Sequence, residues 1–490
     1  MKTYKAIIIG SGFGGQCAAL KLKKNGIEDF LILERRDFMG GTWCQNTYPG
    51  AAVDVQSPLY SIESEPYDWS QMFAEQDELE TYTNHVIDKN GLRDKTQTRA
   101  NVSKIEWYEA DKLWQVHLQD QPTISAQFVI NASGPLSTPV IPDFKGKESF
   151  KGKSFHTNDW DQDYDYRDKR IAIIGSGASA AQIIPAIAKD AGDLHIFQRT
   201  PHWVMPRPDY VFKPWQRKIL KNKALYKLLR KAIYWELESR VIGFKYSQTM
   251  LKLVAQNKAV KHIKSQISDP VLRAKVTPDY TIGCKRIILS DTLYPALCRD
   301  NVSLHDKTQG IKEITETGII TQDGEQLDLD LIVYSTGYDA TDGVISYPVI
   351  GRDKKQLGDF WKEYPRAYLG TSAPGFPNLF IVTGPNTGIG HTSAIVVIEA
   401  QMNYIISSIK SLNAPQNKAN NNKVIEVNAD AEDRYTQHIH KEMAKTVWKS
   451  GGCNSWYQSK SGHVIAMFPG FSFTYQRWTK NFRPADHNFS

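Results

Sequence analysis

The chain has 490 residues, room for roughly three domain-sized units. Hydrophobic residues make up 41% and charged residues 23%, which supports buried cores and excludes a mainly disordered chain. The net charge of +7 is modest for this length and does not by itself point to nucleic acid.

The start, MKTYKAIIIGSG, holds one short apolar run that breaks at glycine and is too short for a secretory segment. No run of 18 apolar residues follows that could span a membrane. The five cysteines, Cys17, Cys44, Cys284, Cys298 and Cys453, are odd in number, scattered, and show no Cys-x-x-Cys pair. That pattern suits a reduced, cytoplasmic protein and argues against a dithiol reductase.

The first predicted strand, residues 4–9, runs into Gly10, Gly12 and Gly15, a G-x-G-x-x-G turn, and a helix is expected from about Gly14. Gly10 allows the tight turn, Gly12 lets a pyrophosphate approach the backbone, and Gly15 lets helix and strand pack closely. The helix N-terminus then faces the anion. The next strand ends at Glu34, a carboxylate placed to accept from ribose hydroxyls. Just beyond it, Gly40-Gly41-Thr42-Trp43 forms a glycine-rich turn that could run beside a flavin and its phosphates.

A strand near residues 124–131 ends in Ala132-Ser133-Gly134, followed by a connector with Pro135, Pro139 and Pro142. A second strand–turn–helix unit begins at residues 170–174, with Gly175, Gly177 and Ala180 forming G-x-G-x-x-A around Ser179. Where the first unit has Glu34, this one has Arg199, which suits a 2′-phosphate. One chain therefore offers both ribose types, and FAD in the first site with NADPH (NADP+) in the second is the economical assignment.

Residues 211–265 read as helical and strongly basic: fourteen Lys and Arg against Glu236 and Glu238, a net +12. The plainer reading is a solvated helical subdomain that attracts an anionic cofactor. The sharper one is contact with an acidic membrane surface or partner. Another strand ends in Ser335-Thr336-Gly337, much as the earlier one ends in Ala-Ser-Gly. These two ends bracket an insertion. The expected fold is α/β, with two Rossmann-like dinucleotide-binding domains and a helical subdomain. Residues 1–142 and 331–490 form a discontinuous FAD domain. Residues 143–330 form an inserted NADP domain that includes the helical insert at about 211–280. A strand then ends near Thr383, Gly384-Pro385-Asn386 turns, and a helix starts near Ser393. The polar run 413–423 reads as an exposed loop.

Residues 150–161, FKGKSFHTNDWD, fit the pattern F-x-G-x-x-x-H-x-x-x-W-[P/D] at Phe150, Gly152, His156, Trp160 and Asp161. In this stretch, and over residues 10–469, the chain resembles the type I Baeyer–Villiger monooxygenases of the flavin-containing monooxygenase superfamily. Relatives that oxidise nitrogen and sulfur usually carry another aromatic at the place of Trp160. The resemblance implies NADPH- and O2-dependent oxidation of ketones to esters or lactones through a C4a-peroxyflavin, with sulfide oxidation as a side reaction. It implies that the fingerprint is a hinge entering the NADP domain.

The resemblance also assigns site residues. In TIGCKRIILSD, Arg286 matches the catalytic arginine and Lys285 a residue that reaches the 2′-phosphate. Asp54, just after Tyr48-Pro49-Gly50-Ala51, matches an aspartate that holds the arginine. Arg199 and Thr200 match positions that bind the 2′-phosphate, and Trp456 matches a residue on a loop that closes over NADP and substrate. Gln16, Trp43, Asn386 and Thr387 join the expected cofactor shell, and no metal is assigned. The implied partners are a small ketone and O2. The competing readings are a nitrogen or sulfur oxygenase, an uncoupled NADPH oxidase, and a non-catalytic NADP-binding protein.

Overall fold

The computed structural model describes residues 2–340 and 345–490. Its larger sheet is built on Thr3–Ile9, which pairs in parallel with Phe30–Leu33 on one side and Gln121–Asn131 on the other. Ile7, Ile8 and Ile9 are all buried, because helices and a meander cover both faces of this strand. The meander runs antiparallel through Val102–Tyr108, Leu113–Leu118 and Gln121–Asn131. Leu379–Ile381 returns late in the chain to pair with Gln121–Asn131 in parallel. The helix Phe13–Lys24 follows the first strand, and Ala394–Ser411 joins it in the same core.

The second sheet is wholly parallel, in the order Val302–His305, Asp193–Phe197, Arg170–Ile174, Leu331–Tyr334, Lys153–His156. One expectation, that residues from 331 onward belong with the FAD domain, shifts here. Lys153–His156, inside the fingerprint, is an edge strand of this sheet. Leu331–Tyr334 also belongs to this sheet and not to the first, so the second sheet is complete only after residue 334. Both sheets need an apolar strand running into small residues, and the sequence pattern alone does not say which sheet receives it. The run 413–423 is not all loop either: it contains the short helix Pro415–Ala419 with Asn417 buried.

The helical insert comprises Pro214–Leu220, Lys223–Glu238, Gln248–Leu251, Asn257–Gln266 and Pro270–Val276. It packs on both cores. Tyr226, Ile233 and Leu237 enter the core of the first sheet. Phe244, Leu251, Ala259 and Ile263 enter that of the second. The insert is thereby fastened across the gap between the two sheets.

Candidate active site

The two glycine turns hold their backbones at distances only glycine permits. Gly10 has φ +103°, and a Cβ at Gly15 would stand 1.9 Å from the Gly10 carbonyl oxygen. Gly41 presses on Gly12, where a Cβ would meet Gly12 Cα at 2.6 Å, and a Cβ at Gly14 would crowd Val382 at 3.2 Å. The helix Phe13–Lys24 is capped by Gly12 without any side-chain bond, so its first N–H groups are left for an anion. Glu34 is buried and accepts from Ser11 Oγ at 2.6 Å and from the Arg36 amide at 3.0 Å, which fixes its carboxylate beside the turn. This cradle and its donor set fit a dinucleotide pyrophosphate and ribose.

The second turn repeats the device. A Cβ at Gly175 would meet the Ser335 carbonyl oxygen at 2.2 Å, whereas Gly177 faces open space. Gly177 caps Ala178–Ile187 without a side-chain bond, and Ala180 is fully buried against the strand. Arg199, Thr200, Ser179 and Lys285 line one cavity of about 1300 Å³. Burial lowers the Lys285 pKa, and the Arg199 charge lowers it further. Arg199 and Lys285 thus offer two positive charges in one pocket, a donor set that fits an anion.

On the wall of the same cavity, Arg286 meets Asp54. Nε donates to Oδ2 at 2.8 Å and Nη2 to Oδ1 at 2.5 Å. The carboxylate raises the arginine pKa above its ordinary value against the opposing effect of burial. Local structure explains the meeting. The turn Tyr48-Pro49-Gly50-Ala51 sits on the helix Ala178–Ile187, where Gly50, at φ +78°, would place a Cβ 2.6 Å from the Gln182 carbonyl oxygen. Gln182 accepts from Tyr48 Oη at 3.0 Å and donates to the Ala52 carbonyl at 2.8 Å. Asp54 is thus carried to the NADP side by its own turn. Arg286 precedes the strand Ile288–Leu289, which pairs in parallel with Val204–Met205.

One cysteine expectation fails. Cys284 and Cys453 form a disulfide across 169 residues, while Cys17, Cys44 and Cys298 are free thiols. The Thr281 amide donates to the Gly451 carbonyl at 3.1 Å, and a Cβ on Gly451 would lie 2.7 Å from Cys284 Cβ. The backbone contact brings together two cysteines that spacing in the sequence could not pair. The bond fastens the Arg286 segment to the loop carrying Trp456, which is exposed and lines the cavity.

Asn386 does not line the cavity. Its amide donates to the Val464 and Met467 carbonyls at 3.0 Å each, so it braces the C-terminal loop, while the neighbouring Thr387 does line the cavity. Trp43 reaches the cavity only through Tyr60, to whose hydroxyl it donates at 3.2 Å. Thr42 opens a single helical turn, Thr42–Gln45, and its carbonyl accepts from Asn46. Gln16 is buried and donates to the Ser11 carbonyl, leaving Oε1 without a partner.

The fingerprint residues lie behind the cavity wall. Phe150 stacks over Gly152, where a Cβ would stand 2.5 Å from its ring. His156 Nδ1 accepts from the Asn158 amide at 3.0 Å, and its ring meets Tyr338 edge-on at 5.5 Å. Trp160 packs on Phe155, and Asp161 pairs with Lys153 at 2.6 Å. Tyr338 lines the cavity and bonds to Asn46 of the first domain and Asn158 of the fingerprint, so the motif touches both domains.

Sequence reasoning missed three cavity tyrosines, Tyr60, Tyr338 and Tyr457. Burial pushes Tyr457 up to about 12, near Arg286. It also missed His391, which lines the cavity and contacts the buried carboxylate of Glu238 at 3.2 Å. Nothing in the local pattern marks these; the adjacent Trp456-Tyr457 pair was the one available hint.

Two dinucleotide-binding turns in one chain, the second lining a cavity that also holds a carboxylate-paired arginine, define a two-nucleotide flavoprotein oxidoreductase. Residues 7–267 match the family model described as pyridine nucleotide-disulphide oxidoreductase. A Baeyer–Villiger monooxygenase of Pseudomonas aeruginosa is 41% identical over 482 residues, covering 98% of this chain and 90% of the relative. Another from Streptomyces coelicolor is 39% identical, covering 99% and 92%. The solved structure of OTEMO in complex with FAD and NADP superimposes with a TM-score of 0.89 at 28% identity, covering 99% of both chains. The chain belongs to the pyridine nucleotide-disulphide oxidoreductase family and, within it, to the Baeyer–Villiger monooxygenases.

Proposed function

We propose that the chain oxidises ketones to esters or lactones, taking electrons from NADPH and one oxygen atom from O2, with FAD as its resident cofactor. The arginine–aspartate pair, in the cavity that the second glycine turn, Arg199, Thr200 and Lys285 also line, carries this reading. When FAD is bound, its isoalloxazine supplies the redox chemistry with O2.

The chain supplies position and charge. Arg286 stays protonated and donates in a fork, which suits negative charge developing on oxygen. Asp54 takes Nε and Nη2, leaving Nη1 without a protein partner among the described residues. The glycine turn at 10–15 and Glu34 hold FAD. The turn at 175–180, Arg199, Thr200 and Lys285 hold NADPH. Trp456 and the wall of the helical insert exclude water and shape the substrate space. The fingerprint couples the domains through Tyr338, and sulfides are a side-substrate class. We place the enzyme in the cytoplasm, where NADPH is supplied.

The test is a coupling measurement on the purified yellow protein. With a ketone panel, NADPH consumed, ester formed and peroxide released are counted together. Near one-to-one ester formation with at least one ketone is expected. Stoichiometric peroxide with every ketone, or ester-free turnover of amines and sulfides only, overturns the reading.

A further inference from the structure

The helical insert carries a face that its own folding does not use. Along Lys223–Glu238, Tyr226, Ile233 and Leu237 point into the core. Leu225, Leu228, Ala232 and Trp235 recur at i, i+3, i+7 and i+10, a second apolar stripe on the solvent side. Leu228 is 63% exposed and Trp235 58%. The face continues beyond the helix. Trp235 meets Phe473 at 6.0 Å, Phe473 stacks on Phe471 at 4.9 Å, and Phe471 stacks on Tyr246 at 6.0 Å. Tyr246 is 61% exposed. Three separate segments therefore build one aromatic strip open to solvent, which an isolated soluble chain seldom displays.

Two further observations say what the strip faces. Lys223, Lys227, Lys231, Lys252 and Lys258 are exposed on these helices, and none makes an ion pair among the described residues. The exposed acid of the main helix, Glu236, is already engaged by Arg240 at 2.8 Å. The surface is thus cationic with no free counter-charge of its own. Met250 and Val254, both exposed, also line the cavity, so they stand at its rim beside this surface.

We propose that this face docks on an anionic lipid bilayer. Its aromatic and leucine side chains enter the interfacial layer, and the lysines meet the lipid phosphates. Among the described residues no helix is long and apolar enough to cross a membrane, so the contact is peripheral. The cavity rim then opens at the lipid surface, and a lipophilic ketone enters from the bilayer without passing through bulk water. This entry route rests on the monooxygenase reading above; the docking does not.

The test uses the FAD-loaded protein and vesicles of phosphatidylcholine with or without phosphatidylglycerol. Sedimentation with the anionic vesicles is expected to exceed that with neutral ones about tenfold and to fall in high salt. Leu228→Glu with Trp235→Glu is expected to lower binding at least about tenfold. Neither residue lines the cavity, so flavin absorbance and turnover of a short water-soluble ketone stay unchanged. Turnover of a long-chain ketone supplied in vesicles falls several-fold in the same variant. Protein that stays in the supernatant with anionic vesicles overturns the docking. So does a dimer in solution that the double variant separates, because the strip would then be covered by a second copy. Docking without any vesicle dependence of the long-chain ketone overturns the entry route. Docking by a protein that oxidises no ketone at all overturns the monooxygenase reading instead.

Discussion

Asp54 and Arg286 stand 232 residues apart in the chain, yet they meet in a two-pronged ion pair on the cavity wall. Each comes from a different nucleotide-binding unit. The pair is therefore sensitive both to chemistry at the arginine and to how the two units sit together.

Arg286→Ala is expected to abolish ester formation while NADPH oxidation continues with peroxide release. Removing one such charge-stabilising donor costs about 10²–10³ in rate. Arg286→Lys keeps the charge but loses the fork, so it recovers only a fraction. Asp54→Ala keeps the arginine and releases its grip, so coupling of NADPH to ester should drop more than NADPH oxidation itself. Full coupling in Asp54→Ala, measured as ester per NADPH, would refute the positioning role.

Arg199→Ala and Lys285→Ala should each raise KM for NADPH with little change in kcat. A hydrogen bond to a charged group is worth about 1.5–3 kcal/mol, or about 10–100-fold. KM for NADH, which lacks the 2′-phosphate, should scarcely move. Steady-state kinetics with both nucleotides decide this, and an equal rise for both would place the cations elsewhere.

The pH dependence of stability has a definite sign. Burial holds His202 and His305 down at about 4, aided by Lys285 at the first and His195 at the second. Groups with a depressed folded pKa stabilise the fold above their unfolded value near 6.5 and lose that contribution as pH falls towards 4. For the buried His305 the fall is worth about 3 kcal/mol. Tm should therefore decline between pH 6.5 and 4, and His305→Asn should flatten that decline relative to its own value at pH 7. An unchanged slope in the variant would remove His305 from the account.

Reduction of the Cys284–Cys453 bond should loosen the cavity loop more than it unfolds the protein. Among the described residues, 452–456 make no backbone hydrogen bond outside their own loop. Cys453→Ser should lower stability by about 2–4 kcal/mol and speed proteolytic cleavage within 451–457. Cleavage and Tm that match the parent under oxidising conditions would show that the loop is held by packing alone.

Much of this site was readable because nucleotide turns are written locally. Gly10 to Gly15, Glu34, Gly175 to Ala180 and Arg199 each sit at fixed offsets from a strand; close backbone approach requires Gly10, Gly15 and Gly175, and side-chain charge distinguishes Glu34 from Arg199. Asp54 and Arg286 were readable only through family resemblance, since a lone acid and a Lys-Arg pair have no periodic signature. What stayed hidden depends on contacts between distant segments. The disulfide needs Gly451 against Cys284, the Glu238–His391 pair needs the insert packed on the first domain, and Asn386 turns away from the cavity because the C-terminal loop offers its carbonyls. The strand Leu331–Tyr334 was recognisable as a strand, but its sheet was decided by partners far away in the chain.

The close seat of Gly50 on Gln182 bears on how such an enzyme could be recombined. Gly50 lies close against the Gln182 main-chain carbonyl, and the Gln182 side chain bonds Tyr48 and the Ala52 carbonyl beside it. The two nucleotide units are therefore not interchangeable cassettes. A chimera that imports a foreign NADP domain to change nicotinamide preference would have to bring residues 48–54 with it, although these belong by sequence to the other domain.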